Sequence, residues 1–136
     1  MLITRETDYA LRTLRALSTG EQITTADICR QELLPQQFVY KILKKLQKAG
    51  LVLITRGKDG GCRLIADLEK VSLYDLMEIM DADKAVSACT QPGFPCAWRQ
   101  KYNKPCQVHR HLQQIQNRLD KELKALPLSE ILSDDS

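Results

Sequence analysis

Three cysteines stand in one stretch of this chain: Cys89, Cys96 and Cys106, separated by six and then nine residues. Thiolates bind iron and zinc, and three of them brought to one point can hold an iron–sulfur cluster. Pro92, Pro95 and Pro105, with Gly93, lie among or beside them. Proline keeps a segment off regular helix, so residues 86–105 read as a loop in which the sulfurs could converge. A structureless loop of this length is uncommon in a compact domain unless it has a task. The bland alternative is that each cysteine is a small buried hydrophobe, the commoner fate of a single thiol. Cys29 reads as core, and Cys62 as either inert or, if exposed, a secondary thiol site.

The elements that would carry this loop follow from hydrophobic spacing. Tyr9, Ala10, Leu14 and Leu17 recur at helical intervals over 5–18, and Gly20 stops them. Thr24 caps a short helix over 25–32, with Asp27 in a weaker form of the capping box. Leu33-Leu34-Pro35 interrupts, and a further helix runs from Gln36 to Ala49 before Gly50. On it, Phe38, Val39, Ile42, Leu43 and Leu46 share one face, and Lys41, Lys44, Lys45 and Lys48 fall nearly opposite. Residues 51–56 and 62–65 are β-type runs around Gly57-Lys58-Asp59-Gly60-Gly61, a hairpin with a basic tip. Ser72 and Asp75 cap a helix reaching about 81. A long helix spans 106–126, with Val108, Leu112, Ile115, Leu119 and Leu126 on a seam suited to a partner helix or to its own domain. The expected fold is mainly α with a small β-hairpin. A winged helix-turn-helix domain occupies 1–82, a cysteine-containing loop 83–105, and a dimerisation helix with its tail 106–136.

Charge supports a polyanionic partner. Residues 1–66 hold eleven Lys/Arg and six Asp/Glu, whereas residues 67–136 hold nine and eleven. Neutralising phosphates releases counterions, which favours a basic surface on DNA. A helix from Gln36 would enter a major groove by its N-terminal end. Gln36, Gln37, Tyr40 and Lys41 would face base edges, and Lys44, Lys45 and Lys48 the phosphates. Thr25, at the start of the preceding helix, is placed for a phosphate. Arg56 and Lys58 suit the minor groove or the backbone. The lysine stripe alone would read as a solvated helix face. The preceding helix, the proline turn and the basic hairpin together favour DNA.

The first residues lack the basic and apolar stretches of a secretory signal, and no apolar run is long enough for a membrane span. A cytoplasmic protein is expected, and a disulfide framework from five cysteines is not. No nucleophile–base pair, phosphate loop or paired catalytic carboxylates are evident, so an enzyme is not expected.

Thr4-Arg5-Glu6-Thr7-Asp8-Tyr9-Ala10-Leu11-Arg12 resembles the first helix of the IscR/NsrR/RirA/CymR family of winged-helix regulators. Lys48-Ala49-Gly50-Leu51-Val52 with Arg56-Gly57-Lys58-Asp59-Gly60-Gly61 resembles its recognition-helix end and wing, and Ser72-Leu73-Tyr74-Asp75-Leu76 its next helix. The resemblance covers nearly the whole chain. It implies a homodimer on a palindromic operator, acting as a repressor, with the last long helix crossing its partner. It also implies a [2Fe–2S] or [4Fe–4S] cluster that senses iron, nitric oxide or redox state, although some members carry none. The ligands implied are Cys89, Cys96 and Cys106, completed by His109 within the chain or by Asp8 from the partner's first helix. The cysteine spacing departs from the tighter IscR pattern, which leaves cluster type and geometry open. A cluster-free regulator controlled by a partner protein, a metabolite or thiol oxidation is the alternative.

Overall fold

The computed structural model describes residues 1–134. Helix α1, Arg5–Leu17, is opened by Thr4, whose Oγ1 accepts the Thr7 amide at 3.2 Å. Helix α2, Thr25–Glu32, is capped by Thr24, which accepts the Asp27 amide at 3.1 Å. Asp27 turns its carboxylate to Arg30, so the reciprocal half of a capping box is not made. Leu33 takes a left-handed conformation (φ +57°) and ends α2. Pro35 then stands as N-cap of α3, Gln36–Lys48, where its missing amide costs nothing. Gly50, at φ +84°, closes α3, and the Leu51 amide returns to the Leu46 carbonyl at 2.9 Å.

Strands β1, Val52–Thr55, and β2, Gly61–Leu64, pair antiparallel with Val52 opposite Leu64 and Ile54 opposite Cys62. Ile23 adds an isolated antiparallel bridge to β2 by exchanging two backbone hydrogen bonds with Cys62, at 2.8 and 2.7 Å. The wing is thereby stitched to the turn before α2. At its tip, a Cβ on Gly60 would stand 2.4 Å from the Thr55 carbonyl oxygen, so only glycine closes this turn.

A 3-10 turn at Leu68–Lys70 leads to α4, Leu73–Ile79, which carries a complete Ser72–Asp75 capping box. Residues 86–105 are not the plain loop expected from the prolines. They contain a 3-10 turn, Ala88–Thr90, and a helix α5, Ala97–Tyr102. The prolines bracket α5 and do not interrupt it: Pro95 precedes its N-cap Cys96, and Pro105 follows its C-cap Asn103. Helix α6 is Gln107–Lys124, and a short α7, Leu128–Ile131, follows Pro127. Pro127, at φ −73°, is preset to start α7.

One core unites these parts. Leu14, Ile28, Ile42, Leu46, Leu76 and Met77 are all 0% exposed. Leu128 is equally buried, and its amide donates to the Val71 carbonyl at 2.8 Å, so the C-terminal stretch returns to the first domain's core. The α6 seam divides. Leu119, Leu123 and Leu126 pack on this core, whereas Val108 and Ile115 stay 67% and 50% exposed.

Candidate nucleic-acid interface and cysteine segment

The N-terminus of α2, the outer face of α3 and the hairpin open on one cleft of about 550 Å³. Thr25, Gln36, Tyr40, Lys44, Arg56 and Lys58 all line it. Their elements are fixed by side chains that sequence reasoning passed over. Gln47 of α3 accepts the Ile54 amide through Oε1 at 2.8 Å, which ties the wing to the helix. Gln22 donates to the Asp59 carbonyl at 2.6 Å and holds the wing tip. Both are polar residues near a single glycine, Gly20 or Gly50, and only the fold shows which backbone groups need them. Gln36 and Tyr40 are linked one turn apart at 3.3 Å. Gln37 and Lys41 are exposed on α3 outside the cleft lining.

Lys45 differs from its neighbours. Its Nζ lies 2.7 Å from Glu6 of α1 and 3.6 Å from Asp81 beyond α4. The hydrogen bond and charge of Glu6 push its pKa up, opposed in part by burial. A lysine so held joins three elements and faces away from the cleft. Spacing alone groups it with Lys41, Lys44 and Lys48. One residue of difference from Lys44 rotates it about 100° around the helix.

Cys62 is 1% exposed, so the condition for a secondary thiol site is not met. Burial raises its pKa, with the Thr25 hydroxyl 4.0 Å away acting in the other direction. Cys29 packs partly against the core, as its position in α2 suggested.

Cys89, Cys96 and Cys106 are free and half-buried. Cys89 lies in the 3-10 turn with its Sγ 3.3 Å from the Ser87 hydroxyl. Cys96 is N-cap of α5, and Cys106 is N-cap of α6, where its Sγ accepts the His109 amide at 3.4 Å. Cys89 and His109 line the same polar cavity of about 790 Å³ between α4, the segment after it and α6. Cys96 and Cys106 line separate depressions. Among the described residues, no three His, Cys, Asp or Glu side chains come together to hold a metal ion. Asp8 sits on α1, paired with Arg12 at 3.2 Å. His111 is not part of the cavity lining and is exposed. No helix among the described residues is long and apolar enough to cross a membrane.

A helix-turn-helix whose second helix runs into a basic hairpin defines a winged-helix DNA-binding protein. The family model described as Rrf2, iron-dependent transcriptional regulator, matches residues 3–134, and the chain belongs to that family. It is a transcriptional regulator and not an enzyme. "Protein aau3" of Rhizobium meliloti strain 1021 is 33% identical over 95 residues, covering 68% of this chain and 62% of that protein. The transcriptional regulator IscR of Vibrio vulnificus is 26% identical over 98% of this chain and 79% of its own length. Among solved structures, the oxidized form of Staphylococcus aureus CymR has a TM-score of 0.72 at 18% identity, covering 100% of this chain and 99% of that one. The IscR of T. potens has a TM-score of 0.66 at 15% identity, covering 98% and 87%. Likeness at this identity concerns the fold.

Proposed function

We propose that this regulator is a homodimeric repressor that binds a palindromic double-stranded operator and is controlled by an iron–sulfur cluster. The cleft shared by α2, α3 and the wing carries the DNA part of this reading. Gln36, Gln37, Tyr40 and Lys41 meet base edges in the major groove, where glutamine pairs well with adenine and lysine with guanine. Lys44 and Lys48 meet phosphates, as does Thr25 at the amide-rich start of α2. Arg56 and Lys58 follow the backbone or the minor groove. Lys45, engaged by Glu6 and Asp81, is left out of the phosphate set. The exposed Val108 and Ile115 on α6 support a helix-to-helix dimer contact.

The cluster reading rests on the donor set: three free, half-buried thiols within one segment, with no disulfide between them. The donor chemistry suits iron, but the thiols do not stand together in the single chain. Cluster binding therefore needs movement in the segment or a second subunit. His109 is favoured as the fourth ligand because it shares a cavity with Cys89. Asp8 would serve only across subunits. A bound cluster would supply a centre sensitive to iron supply, oxidation and nitric oxide. The dispersal of the thiols favours one second reading, a cluster-free regulator switched by thiol oxidation or a bound metabolite.

Anaerobic reconstitution with iron and sulfide tests the first reading. A brown protein with charge-transfer absorption is expected, and replacing the three cysteines with serine should abolish it. A colourless wild-type protein that retains DNA binding would favour the cluster-free regulator. DNA affinity indifferent to substitution of Arg56 and Lys44 would remove the groove placement.

A further inference from the structure

Residues 82–87 lie outside any helix or strand, so their amides and carbonyls need partners from elsewhere. One side chain of α6 supplies several. Gln116 is 5% exposed, and its Oε1 accepts the Val86 amide at 2.7 Å. Its Nε2 donates to the Lys84 carbonyl at 2.9 Å and to the Asp120 carboxylate at 2.8 Å. The Thr90 hydroxyl lies 3.2 Å from the same Oε1 and 2.9 Å from the Ser87 carbonyl. The amide has only this orientation. A carbonyl and a carboxylate can only accept, and a backbone N–H can only donate, so a flipped amide would lose all three of those bonds.

The anchor points at Lys84, Val86 and Thr90 bracket Cys89. Its turn is closed further by Ser87 and Thr90, each binding the other's polar groups. No apolar residue between Asp83 and Pro105 is buried, so polar contacts of this kind hold the segment.

We propose that Gln116 is a positioning residue for Cys89: it latches the segment Lys84–Thr90 to α6, so that chemistry at this thiol is coupled to that helix. Displacing Cys89, by ligation or by oxidation, either pulls on α6 through Gln116 or breaks the latch and leaves a buried amide unpaired. The proposal rests on the reading of Cys89 as a sensing thiol, but its test needs no cluster.

The test uses the full chain, reduced and treated with chelator, and follows iodoacetamide labelling of each cysteine by mass spectrometry. Gln116→Met keeps the volume and removes the hydrogen bonds. Labelling of Cys89 should accelerate about tenfold, because local opening no longer breaks these bonds. Cys106 should stay within about twofold of wild type and Cys62 should remain protected. An unchanged rate at Cys89 would overturn the proposal, and so would parallel acceleration at Cys62, which reports general loosening. Should Gln116→Met fail to fold, Asp120→Ala removes one of the latch's supports, and a rise of about threefold at Cys89 alone is expected. A rate equal to wild type there would overturn it too. A chain that takes up no iron, yet releases Cys89 selectively in these variants, would reject the cluster and uphold the latch.

Discussion

The two functional regions of this molecule are held together by different forces. Around the cleft, the side chains proposed to read DNA project from elements rooted in the core, where Ile28, Ile42, Leu43, Leu46, Val52 and Cys62 are all at most 1% exposed. From Asp83 to Pro105 no residue is buried, and Phe94, Trp98 and Tyr102 are 41%, 41% and 50% exposed. Groove reading needs several groups fixed at once, and close-packed side chains provide that rigidity. A sensing thiol has to change its surroundings, and a segment held by a few polar bonds opens at lower cost. The first region is thus already assembled, whereas in the second the three thiols do not come together.

The largest effect expected from this contrast is on stability. Leu46→Ala should cost about 3 kcal/mol, through lost burial and the cavity left behind. Trp98→Ala should cost under about 1 kcal/mol, since its ring lies over Tyr102 on the surface, 5.1 Å between centroids. Urea unfolding of both variants checks this. Equal costs would mean that the cysteine segment is as well rooted as the reading half.

The next effect is on DNA. Arg56→Ala and Lys44→Ala should each weaken operator binding about tenfold and reduce the salt slope by about one. In the cluster-free protein, Trp98→Ala should leave affinity within about twofold, as surface changes away from the contact do. Fluorescence anisotropy across a salt series measures both. If the α5 variant weakened binding as much as the wing variant, the two regions would not be separable.

A finer version compares adjacent lysines. Lys45→Ala should cost about 0.5–1 kcal/mol of stability with operator affinity nearly unchanged, because its ion pairs are only partly shielded from water. Lys44→Ala should show the opposite pattern. Loss of DNA binding without loss of stability in Lys45→Ala would return that residue to the phosphate set.

What could be read from the chain follows the same division. The helices and hairpin of the first half announce themselves because burial of one face imposes a period on the sequence, as at Val39, Ile42, Leu43 and Leu46. That six of the DNA candidates share one cleft was legible because they occupy the opposite face, the α2 start and the wing. The pairing of Lys45 with Glu6 was not legible, because it depends on how α1 crosses α3, which spacing within α3 does not encode. Helix α5 was hidden because it buries no face and so leaves no period, and its flanking prolines look like breakers. Gln116 lay among several polar residues of α6, and only the return of residues 84–90 against that helix singles it out.

The smallest effect concerns the one thiol that the reading half encloses. Burial lifts the Cys62 pKa above its ordinary 9.0, and Cys29 shifts in the same direction for the same reason. The folded chain therefore holds these protons more tightly than the unfolded chain does. The associated stability is fully present below pH 9.0 and is lost as pH rises through the lifted values. Lys45, raised from 10.5, loses its contribution at still higher pH, so a series ending near pH 10 separates the two. Stability from urea unfolding should fall between pH 9 and about 10, and Cys62→Ala should flatten that fall while lowering the whole curve by a constant cavity cost. An undiminished slope in Cys62→Ala would show that its thiol is hydrated in the folded state. Cys62 would then be as open to solvent as the thiols after Asp83, and the contrast between the two regions would fail at that residue.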